Sequence, residues 1–261
     1  MSHPVTENAI RIVPLLEPQK ERRKIVHPPP PTGLTYRNGP LITSVQIKTI
    51  FWGAAWQGPQ AALLTQINQF FQFIVTSSYI DQLSEYNVAG FAIGHGALAG
   101  SQTITIPAPA VATSDADIQN LISTHASLLS PRHPPPPPPV NNTLYFVFLP
   151  PGIQVSMGGG TSCGAVNGFC GYHGVIAGTT LYAVVPYPGC SGCGSTIYKP
   201  IDAITMFSSH ELAEAITDPL PGHGWYNDTL GEIGDFCNQQ PKQLGGYNVQ
   251  KLWSNRQNAC V

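Results

Sequence analysis

Charged side chains are scarce in this chain of 261 residues. Lysine, arginine, aspartate and glutamate together make up 10% of the sequence, whereas about a quarter is usual in soluble proteins. Lysine and arginine number 12 and the acidic residues 14, which gives a net charge of −2. Because nucleic-acid binding depends on a concentrated positive face, this composition predicts no nucleic-acid partner.

The sequence also lacks a long hydrophobic run. No stretch of about 20 consecutive apolar residues occurs, so no membrane span is predicted. Residues 1–24 are polar and charged and lack the apolar core of a signal peptide. Glycine and proline, in contrast, contribute 26 residues each, which predicts many turns and loops.

Six cysteines, all in the C-terminal half, indicate an oxidising compartment, and we therefore expect a secreted or extracellular protein. They lie along the chain as three pairs: Cys163 with Cys170, Cys190 with Cys193, and Cys237 with Cys260. Pairing of nearest neighbours is the simplest connectivity, although the sequence leaves other pairings open. A structural zinc site formed by the first four cysteines is the alternative, which the wide spacing of the first pair disfavours.

The chain divides into two predicted regions. Residues 1–38 are expected to form an extended, proline-rich arm, in which the four prolines at 28–31 favour polyproline II. Residues 39–261 are long enough to bury a core as a single domain. We predict an α+β (mixed α/β) class for this domain, with a mixed sheet, packed helices and disulfide staples.

Hydrophobic periodicity predicts the individual elements. The predicted strands cover residues 44–52, 102–106, 144–149, 175–177 and 181–185, with a last strand or hairpin within 247–253. The predicted helices cover residues 59–75, 114–129 and 202–217. Ser114, followed by Asp117 three residues later, is typical of a helix N-terminus. Six prolines at 134–139 predict a polyproline connector at the surface.

Residues 208–219 form the most informative segment, Ser-Ser-His-Glu-Leu-Ala-Glu-Ala-Ile-Thr-Asp-Pro. On a helix, His210 and Glu214 lie one turn apart on the same face, where both can bind one metal ion. Glu211 projects from the neighbouring edge of that face. This is the spacing of the zinc-protease helix His-Glu-x-x-His with the second His replaced by Glu, and a carboxylate is an acceptable zinc ligand.

Two interpretations of this helix remain open. An ordinary amphipathic helix would carry the same acidic edge in solvent. The apolar run at residues 201–207 instead predicts a largely buried helix, and burial of a histidine and two carboxylates is costly unless they are paired or bind a metal. The context therefore favours a metal site, with Pro219 ending the helix.

The third ligand is expected from the glycine-punctuated segment at residues 224–237, where Asp235 and Glu232 are the candidates. Asp218 is a rival, but its position beside Pro219 favours a role in the turn that ends the helix. His173, within Cys-Gly-Tyr-His-Gly, is either a further ligand or a hydrogen-bonding residue. Two weaker options are His223 and Asp228.

Several motifs occur in one order: Gly39-Pro40-Leu-Ile, Val45-Gln-Ile-Lys-Thr-Ile-Phe-Trp-Gly53, Phe169-Cys-Gly-Tyr-His-Gly174, Cys190-Ser-Gly-Cys193, and Gly224-Trp-Tyr226 with Glu232 and Cys237. In these motifs, over residues 39–240, the chain resembles bacterial proteins related to the plant EXORDIUM, or phosphate-induced, group. Plant members are associated with apoplastic growth responses and lack a His-Glu pair at the position of His210 and Glu211. The bacterial-type members carry Ser-His-Glu followed by a Glu and Thr-Asp-Pro.

This resemblance favours an enzyme over a plain wall-associated protein, because the His-Glu pair is present here. Glu232 matches an acid that the plant members retain, which implies a structural role for Glu232. The resemblance thereby favours Asp235 as the third ligand.

Together these features predict a secreted zinc-dependent peptidase with a zincin-like fold, acting on a peptide or protein substrate. His210 and Glu214 are predicted to bind one catalytic Zn²⁺, with Asp235 or Glu232 completing the ligands. Glu211 is the predicted general base.

The oxyanion of the reaction requires a hydrogen-bond donor, for which Tyr172, His173 and Tyr226 are candidates. The alternative function is a non-catalytic extracellular or cell-wall-associated binding protein with a structural metal. Calcium would suit that function, because Glu214, Glu232 and Asp235 offer oxygen ligands. Hydrolysis of a non-peptide amide or ester is a further alternative, and the sequence predicts no oligomeric state.

Overall fold

A computed structural model describes residues 10–15, 33–129 and 142–261. Its α-helices are α1 (Ala61–Ile74), α2 (Ser78–Gln82), α3 (Asp115–Leu129) and α4 (Pro200–Thr217). Its strands are β1 (Ile10–Pro14), β2 (Thr35–Tyr36), β3 (Ser44–Trp52), β4 (Gly94–Ile104), β5 (Ala112–Ser114), β6 (Thr143–Phe148), β7 (Gln154–Met157), β8 (Gly160–Thr161), β9 (Phe169–Ile176), β10 (Thr180–Val185), β11 (Trp225–Tyr226), β12 (Pro241–Leu244), β13 (Tyr247–Gln250), β14 (Trp253–Ser254) and β15 (Ala259–Cys260).

A six-stranded mixed sheet in the order β1-β9-β10-β6-β3-β4 forms the centre of the fold. Strands β10, β6, β3 and β4 are parallel to one another, while β9 is antiparallel to both β10 and β1. Helices α1 and α4 pack on one face of the sheet and α3 on the other. The predicted mixed α/β class is therefore confirmed.

Each central strand sends alternate side chains into two separate cores. On β6, Phe146 and Phe148 pack in the core under α1 and α4, whereas Tyr145 and Val147 pack in the core under α3. Because both faces are covered, β6 and β10 are apolar almost without interruption, which is why they are recognisable from sequence.

Most of the predicted elements are present with small boundary differences. The strand at 44–52 and the helices near 59–75, 114–129 and 202–217 correspond to β3, α1, α3 and α4. The predicted N-terminus of α3 is also confirmed: Asp117 N–H donates to Ser114 Oγ, and Ser114 N–H donates to Asp117 Oδ2.

Two strands were predicted too short. The segment 102–106 covers the last three residues of β4, which is Gly94–Ile104, and runs two residues beyond it. The segment 175–177 covers the last two residues of β9, which is Phe169–Ile176, and runs one residue beyond it. Both strands contain glycines that weaken the local strand signal, and pairing with neighbouring strands determines their true length.

Part of the predicted N-terminal arm belongs to the sheet. Strand β1 pairs with β9, so that Arg11 lies opposite His173 in the backbone register. Val13 is fully buried, and the Gln239 side-chain amide donates to the Pro14 carbonyl at 2.7 Å. The predicted polyproline segments at 28–31 and 134–139 lie outside the described residues.

The three disulfides join Cys163 to Cys190, Cys170 to Cys193, and Cys237 to Cys260. Nearest-neighbour pairing is therefore right for the last pair and wrong for the first two. Cys190 precedes a single 3₁₀ turn and Cys193 ends it, and this turn packs against β9. Cys193 therefore meets Cys170 at the start of β9, and Cys190 meets Cys163 in the segment that leads into the strand. In the described ranges, no helix combines the length and apolar character needed to cross a membrane.

Asp115 organises the core under α3. Its Oδ1 accepts hydrogen bonds from the Tyr172 and Tyr182 hydroxyls at 2.8 and 2.9 Å, and its Oδ2 accepts one from Gln119. Burial is the main cause of the raised pKa of both tyrosines, so both hydroxyls stay protonated donors at neutral pH.

We expect Asp115→Ala to lower the free energy of unfolding by about 2–5 kcal/mol, because two buried hydroxyls lose their acceptor. Urea denaturation measures this change. Asp81→Ala is the control, since Asp81 is exposed and pairs only with exposed His95 among the described residues, and it should cost under about 1 kcal/mol. Equal losses in the two variants would contradict the assigned role of Asp115.

Candidate metal centre

Helix α4 carries the centre and is buried along most of its length. Pro200 occupies its first turn, where a missing N–H is tolerated, and every residue from Ala203 to Thr217 is buried. The helix packs between β9 and β10 on one side and β13 and α1 on the other. It ends before Pro219, as predicted, so His210, Glu211 and Glu214 are presented inside the protein.

His210, Glu214 and Asp235 form one group of potential ligands. One donor atom from each lies within 4.8 Å of the others. His210 Nε2 is 2.9 Å from Glu214 Oε1 and 3.8 Å from Asp235 Oδ1. The structure thus brings together the two helix residues and the favoured third residue from the downstream segment.

The Asp235 side chain is oriented by its own loop. Its Oδ2 accepts the Glu232 N–H at 2.9 Å, which leaves Oδ1 facing His210. The loop is held to β13 and β14, because Gln250 donates to the Gly234 carbonyl and Trp253 N–H donates to the Ile233 carbonyl. The Cys237–Cys260 disulfide then fixes the chain directly after the loop.

Glycines allow backbone to approach the centre on two sides. A Cβ at position 234 would lie 2.8 Å from both Glu214 Oε1 and His210 Nδ1. A Cβ at position 171, on β9, would lie 3.0 Å from Glu211 Oε1. A side chain at either position would crowd the site. The sequence predicts the close approach of the glycine-punctuated segment that contains Gly234, but it gives no indication of the role of Gly171.

His173 brings β9 into the same centre. Its Nδ1 is 3.0 Å from Glu211 Oε2 and 3.6 Å from Glu214 Oε2, and its Nε2 is 3.6 Å from Glu232 Oε1. His173, Glu214 and Glu232 form a second group whose donor atoms lie within 4.8 Å of one another. The two groups share Glu214 and so contain five residues. Together with the neighbouring Glu211 we call them the His/Glu cluster: His173, His210, Glu211, Glu214, Glu232 and Asp235.

Several atoms of the His/Glu cluster are buried without a hydrogen-bond partner. They are both ring nitrogens of His210, His173 Nε2 and Glu211 Oε1. The Glu214 oxygens also meet no donor in hydrogen-bonding geometry, although the nearby Gly234 and Asp235 N–H groups act to lower its pKa. Buried polar atoms are normally satisfied, so these atoms are candidates to bind a metal ion.

Burial dominates the electrostatics of the carboxylates. It raises the pKa of Glu211 to about 7, against the lowering effect of the His173 hydrogen bond. It raises the pKa of Glu214 well above its ordinary value, and the Asp235 charge adds to the effect. A divalent cation would reverse this penalty, because opposite charge stabilises the ionised form.

Asp218 lies beside the cluster but serves the turn after α4. Its two oxygens accept the backbone N–H groups of Gly222, His223 and Gly224. Burial and the neighbouring Glu232 raise its pKa well above the ordinary value. This geometry agrees with the helix-end role that its position beside Pro219 favours.

The other predicted residues lie elsewhere. The Tyr172 hydroxyl donates to Asp115 on the opposite face of the sheet, because adjacent strand residues point to opposite faces. Tyr226, in the small sheet of β11 and β2, lies under the Arg37 guanidinium, 4.6 Å from its ring centroid. Asp228 pairs with the same arginine at the surface. The structure therefore does not bring these three side chains into the His/Glu cluster.

Comparisons of this chain with protein-family models, with curated proteins and with solved structures find no match. The resemblance to the EXORDIUM group therefore stays a prediction.

Proposed function

We propose that this protein is a zinc-dependent peptidase with a zincin-like site on α4. The observation that carries the proposal is the group formed by buried His210, buried Glu214 and partly exposed Asp235, in which one donor atom from each residue lies within 4.8 Å of the others. Two ligands from one helix and a third from a later segment are typical of catalytic zinc sites. The unpartnered ring nitrogens of His210 support an ion there.

The donor chemistry favours zinc over calcium. Each group in the His/Glu cluster contains one imidazole and two carboxylates. Calcium takes six to eight oxygen ligands, whereas zinc accepts nitrogen and oxygen in a small shell. Calcium, which the three carboxylates alone would suit, is therefore the less fitting ion.

Zinc bound there would supply a Lewis acid and an acidified water. Glu211 is suited to move the proton, since one of its oxygens is held by His173 while Oε1 makes no hydrogen bond. It would accept a proton during attack on a carbonyl and return it to the leaving amine. Asp235 is the group member with an appreciably exposed side chain, 20% accessible, so substrate would approach from its side.

Burial favours a second candidate function, a non-catalytic protein with a structural metal. The side chains of His210, Glu214 and His173 are 0–1% exposed, and structural zinc sites are closed. The three disulfides fit an extracellular location for either function.

Two glutamate-to-glutamine substitutions on buried helix α4 distinguish a peptidase from a protein with a structural metal. We expect Glu211→Gln to keep its zinc but lose peptide hydrolysis by a factor on the order of 100 or more, because the proton acceptor is removed. Glu214→Gln should lose both zinc and hydrolysis. Elemental analysis and cleavage of a mixed peptide library measure the two properties.

The outcomes are distinct. Full hydrolysis in both variants would refute the peptidase mechanism. Zinc retained by the wild-type protein without cleavage of any peptide would support the structural function instead.

A further inference from the structure

The two oxygens of Glu214 face different imidazoles. Oε1 lies 2.9 Å from His210 Nε2, and Oε2 lies 3.6 Å from His173 Nδ1. His210 comes from the same helix, whereas His173 comes from β9, so the carboxylate lies between two independent elements. One oxygen of Glu214 therefore lies beside each imidazole. Glu214 also belongs to the group with His173 and Glu232, in which one donor atom from each residue lies within 4.8 Å of the others.

The donors exceed what one zinc ion needs. The two groups contain His173, His210, Glu214, Glu232 and Asp235, and Glu214 belongs to both. A catalytic zinc takes about three protein ligands and leaves one position open. Five donors divide into two sets of three when Glu214 is shared, and each set then has one imidazole and one terminal carboxylate.

Glu211 is placed to orient the imidazole of the second set. Its Oε2 lies 3.0 Å from His173 Nδ1, while His173 Nε2 has no hydrogen-bond partner and lies 3.6 Å from Glu232 Oε1. A metal-binding histidine usually binds the metal through one ring nitrogen. The N–H of its other nitrogen donates a hydrogen bond to a carboxylate or carbonyl, which fixes the tautomer. The pair of Glu211 and His173 has that arrangement.

We propose that the His/Glu cluster holds two divalent ions bridged by Glu214. His210 and Asp235 complete one set, and His173 and Glu232 complete the other. The inference rests on the proposed zinc site and adds a second ion to it. Carboxylate-bridged pairs of ions are a known device of hydrolases, where they act on both the attacking and leaving groups.

The buried charge fits two ions better than one. Four carboxylates of the cluster, Glu211, Glu214, Glu232 and Asp235, face two imidazoles. In the described chain, the recorded ion pairs of Glu211 and Glu214 are with histidines and not with lysine or arginine. Two divalent cations would balance four negative charges at this centre, whereas one would balance only two of them.

The test is the zinc content of the whole protein after dialysis against excess Zn²⁺ and gel filtration. We expect two zinc ions per chain in the wild type. His173→Ala and His210→Ala should each retain one ion, and Glu214→Gln should weaken both. His95→Ala, which removes an exposed histidine outside the cluster, is the matched control and should retain two.

Replacement of zinc by Co²⁺ gives a readout that does not depend on activity. The electron paramagnetic resonance spectrum of the wild type should show two coupled ions, and that of His173→Ala a single isolated ion. Circular dichroism verifies that each variant is folded. If His173→Ala fails to fold, Glu232→Gln removes the terminal carboxylate of the same set and should likewise retain one ion.

One zinc per wild-type chain, lost in His210→Ala, would overturn the two-ion inference and leave the proposed zinc site standing. No zinc at all would overturn both. Two ions that persist in folded His173→Ala and Glu232→Gln would place the second ion elsewhere and also contradict the inference.

Discussion

Substitution His210→Ala is expected to weaken zinc binding at the α4 site by about 10²–10³-fold. Zinc binds closed protein sites with about 10–16 kcal/mol, so loss of one ligand among three or four removes a few kcal/mol. His210 is fully buried, neither of its ring nitrogens makes a hydrogen bond, and Nε2 lies 2.9 Å from Glu214 Oε1, so its removal should act chiefly on the proposed zinc site. Hydrolysis should fall in parallel.

Competition titration with a zinc-binding dye measures the affinity, and thermal unfolding with excess chelator tests the fold. The variant should remain folded, because His210 belongs to neither hydrophobic core and to none of the three disulfides. His95→Ala is the control for loss of a histidine as such. Unchanged zinc affinity in folded His210→Ala would remove the central residue of the proposed site.

Helix α4 could be predicted from sequence because its information is local. The apolar run before His210, the spacing of His210 and Glu214 and the position of Pro219 are all properties of neighbouring residues. The same holds for β6 and β10, whose almost uninterrupted apolar composition reflects burial on both faces, and for β3, whose polar and apolar residues alternate over its first half.

The remainder of the site depends on contacts between distant segments. His173 lies in a glycine-containing strand that gives a weak strand signal, and only its pairing with β1 and β10 fixes the face on which the imidazole lies. A shift of the strand register by one residue would move His173 to the other face of the sheet, where Tyr172 contacts Asp115. Sequence therefore identified His173 as a candidate without defining its partners.

The predicted disulfide connectivity was wrong for the first two pairs, also because it depends on contacts between distant segments. Short sequence separation favours Cys163 with Cys170, but the sheet places Cys170 beside Cys193 and Cys163 beside Cys190. Proximity in the folded protein determines which cysteines pair, and the local sequence around each cysteine does not predict it.

Gly234→Ala should weaken zinc binding by about 10²-fold or more, because metal ligands must be held within about 0.5 Å of their working positions. The backbone at Gly234, with φ −79° and ψ −35°, would accept alanine without strain. The new methyl group would instead lie 2.8 Å from Glu214 Oε1 and His210 Nδ1, closer than van der Waals contact permits. The ligands or the loop must therefore move apart.

The loop has little freedom to absorb this change. Gly234 O accepts the Gln250 amide at 2.9 Å, and Cys237 is bonded to Cys260, so displacement would break contacts that also orient Asp235. Overpacking of this kind costs about 1–3 kcal/mol of stability, which leaves a folded protein for the zinc titration. Gly189→Ala is the matched control, since its methyl group would come no nearer than 3.9 Å to its neighbours. Equal zinc affinity in both glycine variants would show that the close approach of Gly234 does not set the geometry of His210 and Glu214.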